Sequence, residues 1–197
     1  MSAPDHFKIF APFYDSIFHA AIDENRLIHF DARPGMLVLD AGGGTGRISG
    51  SLNCPTCNLV IADESRDMLR QTFTKDGLKP VNSLIEYLPF PDNLYDRVIM
   101  VDAFHHVINQ AHCAKEMWRV LKPGGKIAIE EPDITKFSIK LLALGEKIAL
   151  MRSHFLSADE IGVLFKGLGA KIDVHRRDAN IWVIIQKDTP GICPEVS

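Results

Sequence analysis

Residues 38–50 read VLDAGGGTGRISG: an apolar run, an aspartate, and four glycines within positions 42–46. Val and Leu running into a glycine cluster read as a buried strand that enters a tight turn. Glycines there let the backbone come close to something that side chains would hold away. Three ligand chemistries use such a bend. The dinucleotide fingerprint G-x-G-x-x-G fails in every register, because Arg47 stands where the third glycine belongs when counting starts at Gly42. The phosphate loop G-x-x-x-x-G-K-[ST] is absent. What remains is Asp40-x-Gly42-x-Gly44-x-Gly46. A carboxylate ahead of the bend repels a pyrophosphate and suits a ligand that carries positive charge.

Outward from this bend, short runs rich in Val, Ile and Leu alternate with helical patterns. MLVLDA (36–41), NLVIAD (58–63), VNSLIEY (81–87), DRVIMVD (96–102) and GKIAIEE (125–131) are expected strands. RISGSLN is expected to begin a helix after the glycines. SRDMLRQTFT follows the second strand as a helix with Ser65 at its N-cap. AHCAKEMWRVL (111–121) is a helix stopped by Lys122-Pro123-Gly124-Gly125. SADEIGVLFKGLG (157–169) opens with Ser157 and Glu160 at capping-box spacing and closes on glycine. AKIDVHR and NIWVIIQK, joined across Arg177-Asp178-Ala179, form a hairpin. The alternation specifies an α/β fold, a mostly parallel sheet with helices on both faces and a C-terminal antiparallel hairpin. Ligands of such sheets bind at the carboxyl ends of the strands, where the strand order reverses. Asp63 ends the second strand and can accept both hydroxyls of a ribose. A nucleoside with a cationic, zwitterionic tail satisfies both acids, and S-adenosylmethionine is such a molecule.

Totals bound the function classes. At 197 residues, with 46% hydrophobic and 24% charged, the chain has the composition of one globular domain. A net charge of −3 and the lack of a long basic run argue against a nucleic-acid partner. The N-terminus lacks a signal-peptide pattern, and no apolar run reaches the roughly 20 residues needed to cross a bilayer, so a cytoplasmic setting is expected. Cys54 and Cys57 form a C-x-x-C that precedes a strand, with no second pair at zinc spacing. They read as two thiols in a loop, with no metal.

Taken in order, these motifs resemble a class I S-adenosylmethionine-dependent methyltransferase, of the group similar to ubiquinone/menaquinone-biosynthesis enzymes. VLDAGGGTGR carries the cofactor glycine motif and IADES the ribose acid. EYLPFPDNLYDRVIMVDAFHHV, WRVLKPGGKIAIEEPD and HFLSADEIGVLFKGLGAKI match the later segments, and FAPFYD matches a covering N-terminal helix. The resemblance implies a Rossmann-like sheet of seven strands. It also implies a single domain over 1–197, with covering helices at 1–30 and a substrate-side lid at 134–156. By position, Asp40, Gly42, Gly44 and Gly46 face the cofactor, and Asp63 with Glu64 holds the ribose. Met68 pads the adenine, Asp102 and Ala103 hold the ammonium end, and Tyr14 closes over the whole. Where the family places an acidic residue and alanine to read adenine, this chain has Leu84-Ile85, so Glu86 or the backbone is expected to serve.

Methyl transfer needs a general base only for a protonated, weakly acidic nucleophile. His105 and His106, after the fourth strand, are the candidates, and imidazole titrates near working pH. Phe137, Leu141, Leu144, Ile148 and Met151 repeat at helical spacing, as a packed helix or as a lid over a lipophilic or aromatic acceptor. The function read here is methyl transfer from S-adenosylmethionine to a small acceptor. Two other readings stay open: a cofactor-binding sensor or accessory protein without catalysis, and a nicotinamide dehydrogenase.

Overall fold

A computed structural model describes residues 29–52, 54, 56–136, 139 and 153–189. Seven strands form one sheet in the order β3-β2-β1-β4-β5-β7-β6. The strands are β1 (Leu37–Ala41), β2 (Asn58–Asp63), β3 (Leu78–Asn82), β4 (Tyr95–Val101), β5 (Leu121–Pro132), β6 (Lys171–Arg177) and β7 (Asn180–Gln186). Strands β1 to β5 pair in parallel, while β7 runs antiparallel to both β5 and β6. The seven strands, the parallel body and the terminal hairpin expected from the sequence are all present, with β7 inserted between β5 and β6.

Helices α1 (Arg66–Thr72), α2 (Gln110–Val120) and α3 (Ala158–Lys166) cover the sheet. Their starts are set by side-chain acceptors. Ser65 receives the Met68 N–H and Asn109 the His112 N–H, and Ser157 and Glu160 close a full capping box. Alternation along the central strands divides the core. Leu39, Val98, Met100, Ile127 and Val183 face Cys113, Met117, Ile161 and Phe165 of α2 and α3. Val38, Ile99, Ala128 and Trp182 face the opposite way, toward Phe30 and Ile48. That second face also carries a partly buried ion cluster: Arg97 and Lys126 both reach Asp31, at 2.9 and 3.0 Å.

Four local expectations are corrected. The third strand lies at 78–82, and residues Ile85–Tyr87 form a single 3-10 turn. The Ser83 hydroxyl donates to the carbonyls of Leu84 and Tyr87, which ends the ladder and turns Ile85 and Glu86 inward. Pro80 is tolerated in β3 because this strand is an edge of the sheet. After the glycines no α-helix forms among the described residues, only a 3-10 turn at Ser49–Ser51; Gly46 and Gly50 in this run lower helix propensity. The fifth strand begins at Leu121, directly after α2. Cys54 and Cys57 are joined as a disulfide across a tight turn rather than standing as two thiols. Their three-residue spacing brings the Cα atoms to 5.3 Å, within the range a disulfide spans.

Of the expected N-terminal covering segment, only His29 and Phe30 are described. Tyr14 and all five residues of the Phe137-to-Met151 stripe lie outside the described residues.

Candidate active site

β1 is flanked by β2 on one side and β4 on the other, so the strand order reverses at β1. A cleft opens at the carboxyl ends of these strands. Its floor is the glycine bend. The Gly42 N–H donates to Ala62 at 2.7 Å, and Gly42 has φ +72°. A Cβ at Gly42 would stand 2.7 Å from the Ala103 Cβ, so the bend and the segment after β4 touch only because residue 42 has no side chain. Gly43 is equally constrained: a Cβ there would meet the Asp40 carboxyl carbon at 2.5 Å.

Asp40 lies beneath this bend, 2% exposed, and accepts the Ser49 hydroxyl at 2.7 Å. Burial pushes its carboxyl up to about 6. Ser49 opposes that rise, and the nearby Asp63 charge adds to it. Asp63, at the end of β2, is held by two backbone donors: Gly44 N–H at 2.9 Å and Ser65 N–H at 2.8 Å. Met68 lies against the same bend, its Cε 3.1 Å from where a Gly44 Cβ would be. Glu64, Leu84, Ile85 and Glu86 form one rim of the cleft. Glu86 is buried and accepts the Asn109 N–H at 3.2 Å. Thus an acid stands one position after the 84–85 pair and borders the same cleft.

The opposite rim is the segment after β4. Asp102 has φ +51° and donates its N–H to the Glu130 carbonyl, a left-handed position that aspartate tolerates better than most residues. The segment is organised by Glu131, a residue the motif reading passed over. Its Oε1 accepts the N–H groups of Ala103 and Phe104 at 3.0 and 2.8 Å, and its Oε2 lies 2.5 Å from His105 Nδ1. One buried carboxylate on β5 therefore sets three consecutive residues. The available signal was an acid inside an otherwise apolar strand, which has to find partners when buried.

The two histidines separate. His105 does not face the cleft. Its ring is enclosed between Phe155 and His106, with centroids 4.2 and 4.0 Å away, and Nδ1 donates to Glu131. Of the two candidate bases, His105 is therefore turned to Glu131 and is not among the residues that border the cleft. His106 does line the cleft, with Nδ1 3.4 Å from the Ser153 hydroxyl. Burial, with the His105 charge adding to it, lowers its pKa to about 3, so its ring is neutral at physiological pH. A ring so hard to protonate serves as a hydrogen-bond partner more readily than as a proton store.

Residues 39–129 match the methyltransferase domain family. The fold superposes on a SAM-dependent methyltransferase from Thermotoga maritima with TM-score 0.78 at 20% identity, covering 92% of this chain and 98% of that one. Residues 39–129 thus resemble a methyltransferase domain, within a fold shared with S-adenosylmethionine-dependent methyltransferases. The family's cofactor is S-adenosylmethionine. The Vibrio cholerae ubiquinone/menaquinone biosynthesis C-methyltransferase is 33% identical over 110 residues, a match covering 51% of this chain and 42% of that protein. The Shewanella frigidimarina protein of the same name is 36% identical, with 44% of its length covered. The matched segment thus spans less than half of those curated relatives.

The residues present fit the family's cofactor. The bend carries no side chains at 42, 43 and 44, and Asp40 and Asp63 border the same cleft. Of the expected contacts, Asp40, Gly42, Gly44, Asp63, Glu64, Met68, Glu86, Asp102, Ala103 and His106 border one cleft. Gly46 does not border it. With φ +71° and a would-be Cβ only 2.6 Å from the Leu78 side chain, it lets the bend pack on β3.

Proposed function

We propose that this domain transfers a methyl group from S-adenosylmethionine to a small, lipophilic or aromatic acceptor. The observation that carries the reading is the convergence of Asp40 and Asp63 with the glycine bend on a cleft whose lining also includes Leu84, Ile85, Met100, Val107 and Ile108. Carboxylates beside a side-chain-free bend suit a cationic nucleoside, and these apolar side chains suit an apolar acceptor. The cofactor, when bound, supplies a methyl group already activated by a positive sulfur. The protein's own contribution is then to bind, orient and exclude water.

Asp63, its orientation fixed by Gly44 and Ser65, would receive the ribose hydroxyls, and Asp40 would face the cationic end. The backbone of Asp102 and Ala103, stapled by Glu131, would form the wall at the amino-acid end. Glu86 would read the adenine edge, and neutral His106 would hold an acceptor hydroxyl or ring in line. The names of the Vibrio and Shewanella relatives, quinone-biosynthesis C-methyltransferases, support a flat, lipophilic acceptor.

Titration calorimetry with S-adenosylhomocysteine tests the cofactor reading: Asp63→Ala should weaken binding about 10- to 100-fold, the effect of losing hydrogen bonds to a charged group. Wild-type affinity in that variant removes the assignment. An accessory protein without catalysis would bind equally well but release no S-adenosylhomocysteine from S-adenosylmethionine, so a product assay separates the two. His106→Ala should lower turnover about 10- to 100-fold, within the range of a positioned proton-handling group, with S-adenosylhomocysteine affinity retained. Unchanged turnover eliminates its role.

A further inference from the structure

Residues 153–155, which lead into α3, pack on the 104–106 turn that follows the Asp102–Ala103 wall of the cleft. Each of the three meets that turn. The Ser153 hydroxyl lies 3.4 Å from His106 Nδ1, and the His154 N–H donates to the His105 carbonyl at 2.7 Å. The Phe155 ring stacks on the His105 ring, with centroids 4.2 Å apart and planes inclined by 12°. Gln110, the first residue of α2, joins the two segments. It is buried, and its Nε2 donates to the Phe104 carbonyl at 2.9 Å and to the His154 carbonyl at 2.8 Å. A side-chain amide has two N–H donors, so each carbonyl takes one. Separating the segments would leave a buried donor unmatched, which is costly. Phe104 in turn hangs from Glu131 through its own N–H. Gln110 itself is not among the residues that border the cleft.

We infer that Gln110 is a positioning residue that makes the cleft wall and residues 153–155 open and close as one unit, so that occupancy of the cofactor site is felt at residues 153–155. The inference rests on the proposed cofactor reading, because the ligand's contact with the wall at Ala103 is part of it. His106, which borders the cleft and meets Ser153, belongs to the same unit. A backbone N–H exchanges with solvent when its hydrogen bond opens. For His154 that means leaving the His105 carbonyl. With Gln110 bridging, this departure also pulls on Phe104 and on the wall beside it. A ligand that binds only the closed wall then suppresses the opening by the factor 1 + [L]/Kd. Without the bridge, residues 153–155 leave alone and the ligand has no hold on them.

Hydrogen exchange of the full chain, resolved at the His154 amide with and without S-adenosylhomocysteine, tests this. In wild type the ligand, at about 100 times its Kd, should slow His154 exchange about 100-fold. Gln110→Met keeps the length of the side chain and removes both donors. It should bind S-adenosylhomocysteine with wild-type affinity yet show ligand-independent exchange at His154. Gln110→Glu, with the same shape and acceptor oxygens in place of the donors, should behave alike. A merely structural loss would speed exchange at buried Val183 in the sheet as well, but would leave ligand protection at His154 in place. Gln110→Asn keeps the amide on a shorter stem, should retain part of the protection, and serves where the other two misfold. Binding by wild type without protection of His154 overturns the inference and leaves the cofactor reading intact. Full protection of His154 in any folded one of the three variants overturns it as well. Wild type that binds no S-adenosylhomocysteine overturns the cofactor reading and the inference together.

Discussion

Glu131→Ala should destabilise the protein by about 3–5 kcal/mol, the cost of stripping a buried acceptor from several donors at once. The carboxylate is 2% exposed and accepts from Ala103 N–H, Phe104 N–H and His105 Nδ1. After its removal, two backbone donors and an imidazole N–H lose their acceptor in a site that water reaches poorly. Glu131→Gln should cost less, since its amide oxygen can still take both backbone N–H groups while its NH₂ faces a histidine that must then change tautomer. Chemical denaturation measures both. The same variants should weaken S-adenosylhomocysteine binding, because Ala103 is a wall of the cleft. An alanine variant within about 1 kcal/mol of wild type, the span of an ordinary surface change, removes the claim that Glu131 organises this segment.

Asp40→Asn should do two opposite things: raise the stability of the ligand-free protein at neutral pH and weaken its binding of S-adenosylhomocysteine. Burial lifts the Asp40 carboxyl from the ordinary 3.8 to about 6. The native state thus keeps a proton that the unfolded chain releases between these two values. Stability from this group is therefore full below about pH 4, falls as pH rises to about 6, and stays low above it. The penalty on the ionised form corresponds to about 3 kcal/mol, so the asparagine variant should gain up to that amount at pH 8 and nothing near pH 4. Its amide oxygen can still accept the Ser49 hydroxyl. A cationic ligand should bind wild type better above pH 6, where Asp40 is ionised, and this pH dependence should vanish in Asp40→Asn. Thermal melts at pH 4 and pH 8 with calorimetry at the same values check both halves. An asparagine variant less stable than wild type at pH 8 contradicts the account.

Such a trade-off is expected where a charge is kept under a bend for the sake of a ligand. It also explains the crowding around Asp40. Gly43 must lack a side chain so that the backbone can pass 2.5 Å, by its would-be Cβ, from the carboxyl carbon. The bend leaves the carboxyl enclosed, and enclosure raises its pKa.

Much of this was legible along the chain because it depends on local periodicity. Strand and helix alternation, the caps at Ser65 and Ser157, the terminal hairpin and the acid-glycine pattern from Asp40 to Gly46 are decided within a few residues. Each follows from backbone sterics or a neighbouring side chain. The misplacements have local causes too. The apolar run at 84–85 mimics a strand, but Ser83 closes a turn there and hands the edge position to 78–82.

Packing between distant segments decided the rest. Asp40 and Asp63 were readable as a pair because both end neighbouring strands, and strand ends in a parallel sheet share one edge. Which histidine faces the cleft was not readable. His105 turns away because Glu131, 26 residues later on the adjacent strand, takes its Nδ1, leaving His106 at the wall. Likewise, nothing beside Arg47 in the chain says that its Nε and Nη1 end up buried without acceptors among the described residues. Spacing sets where a side chain starts, whereas its direction is set by whichever buried donors and acceptors the fold brings within about 3 Å of it.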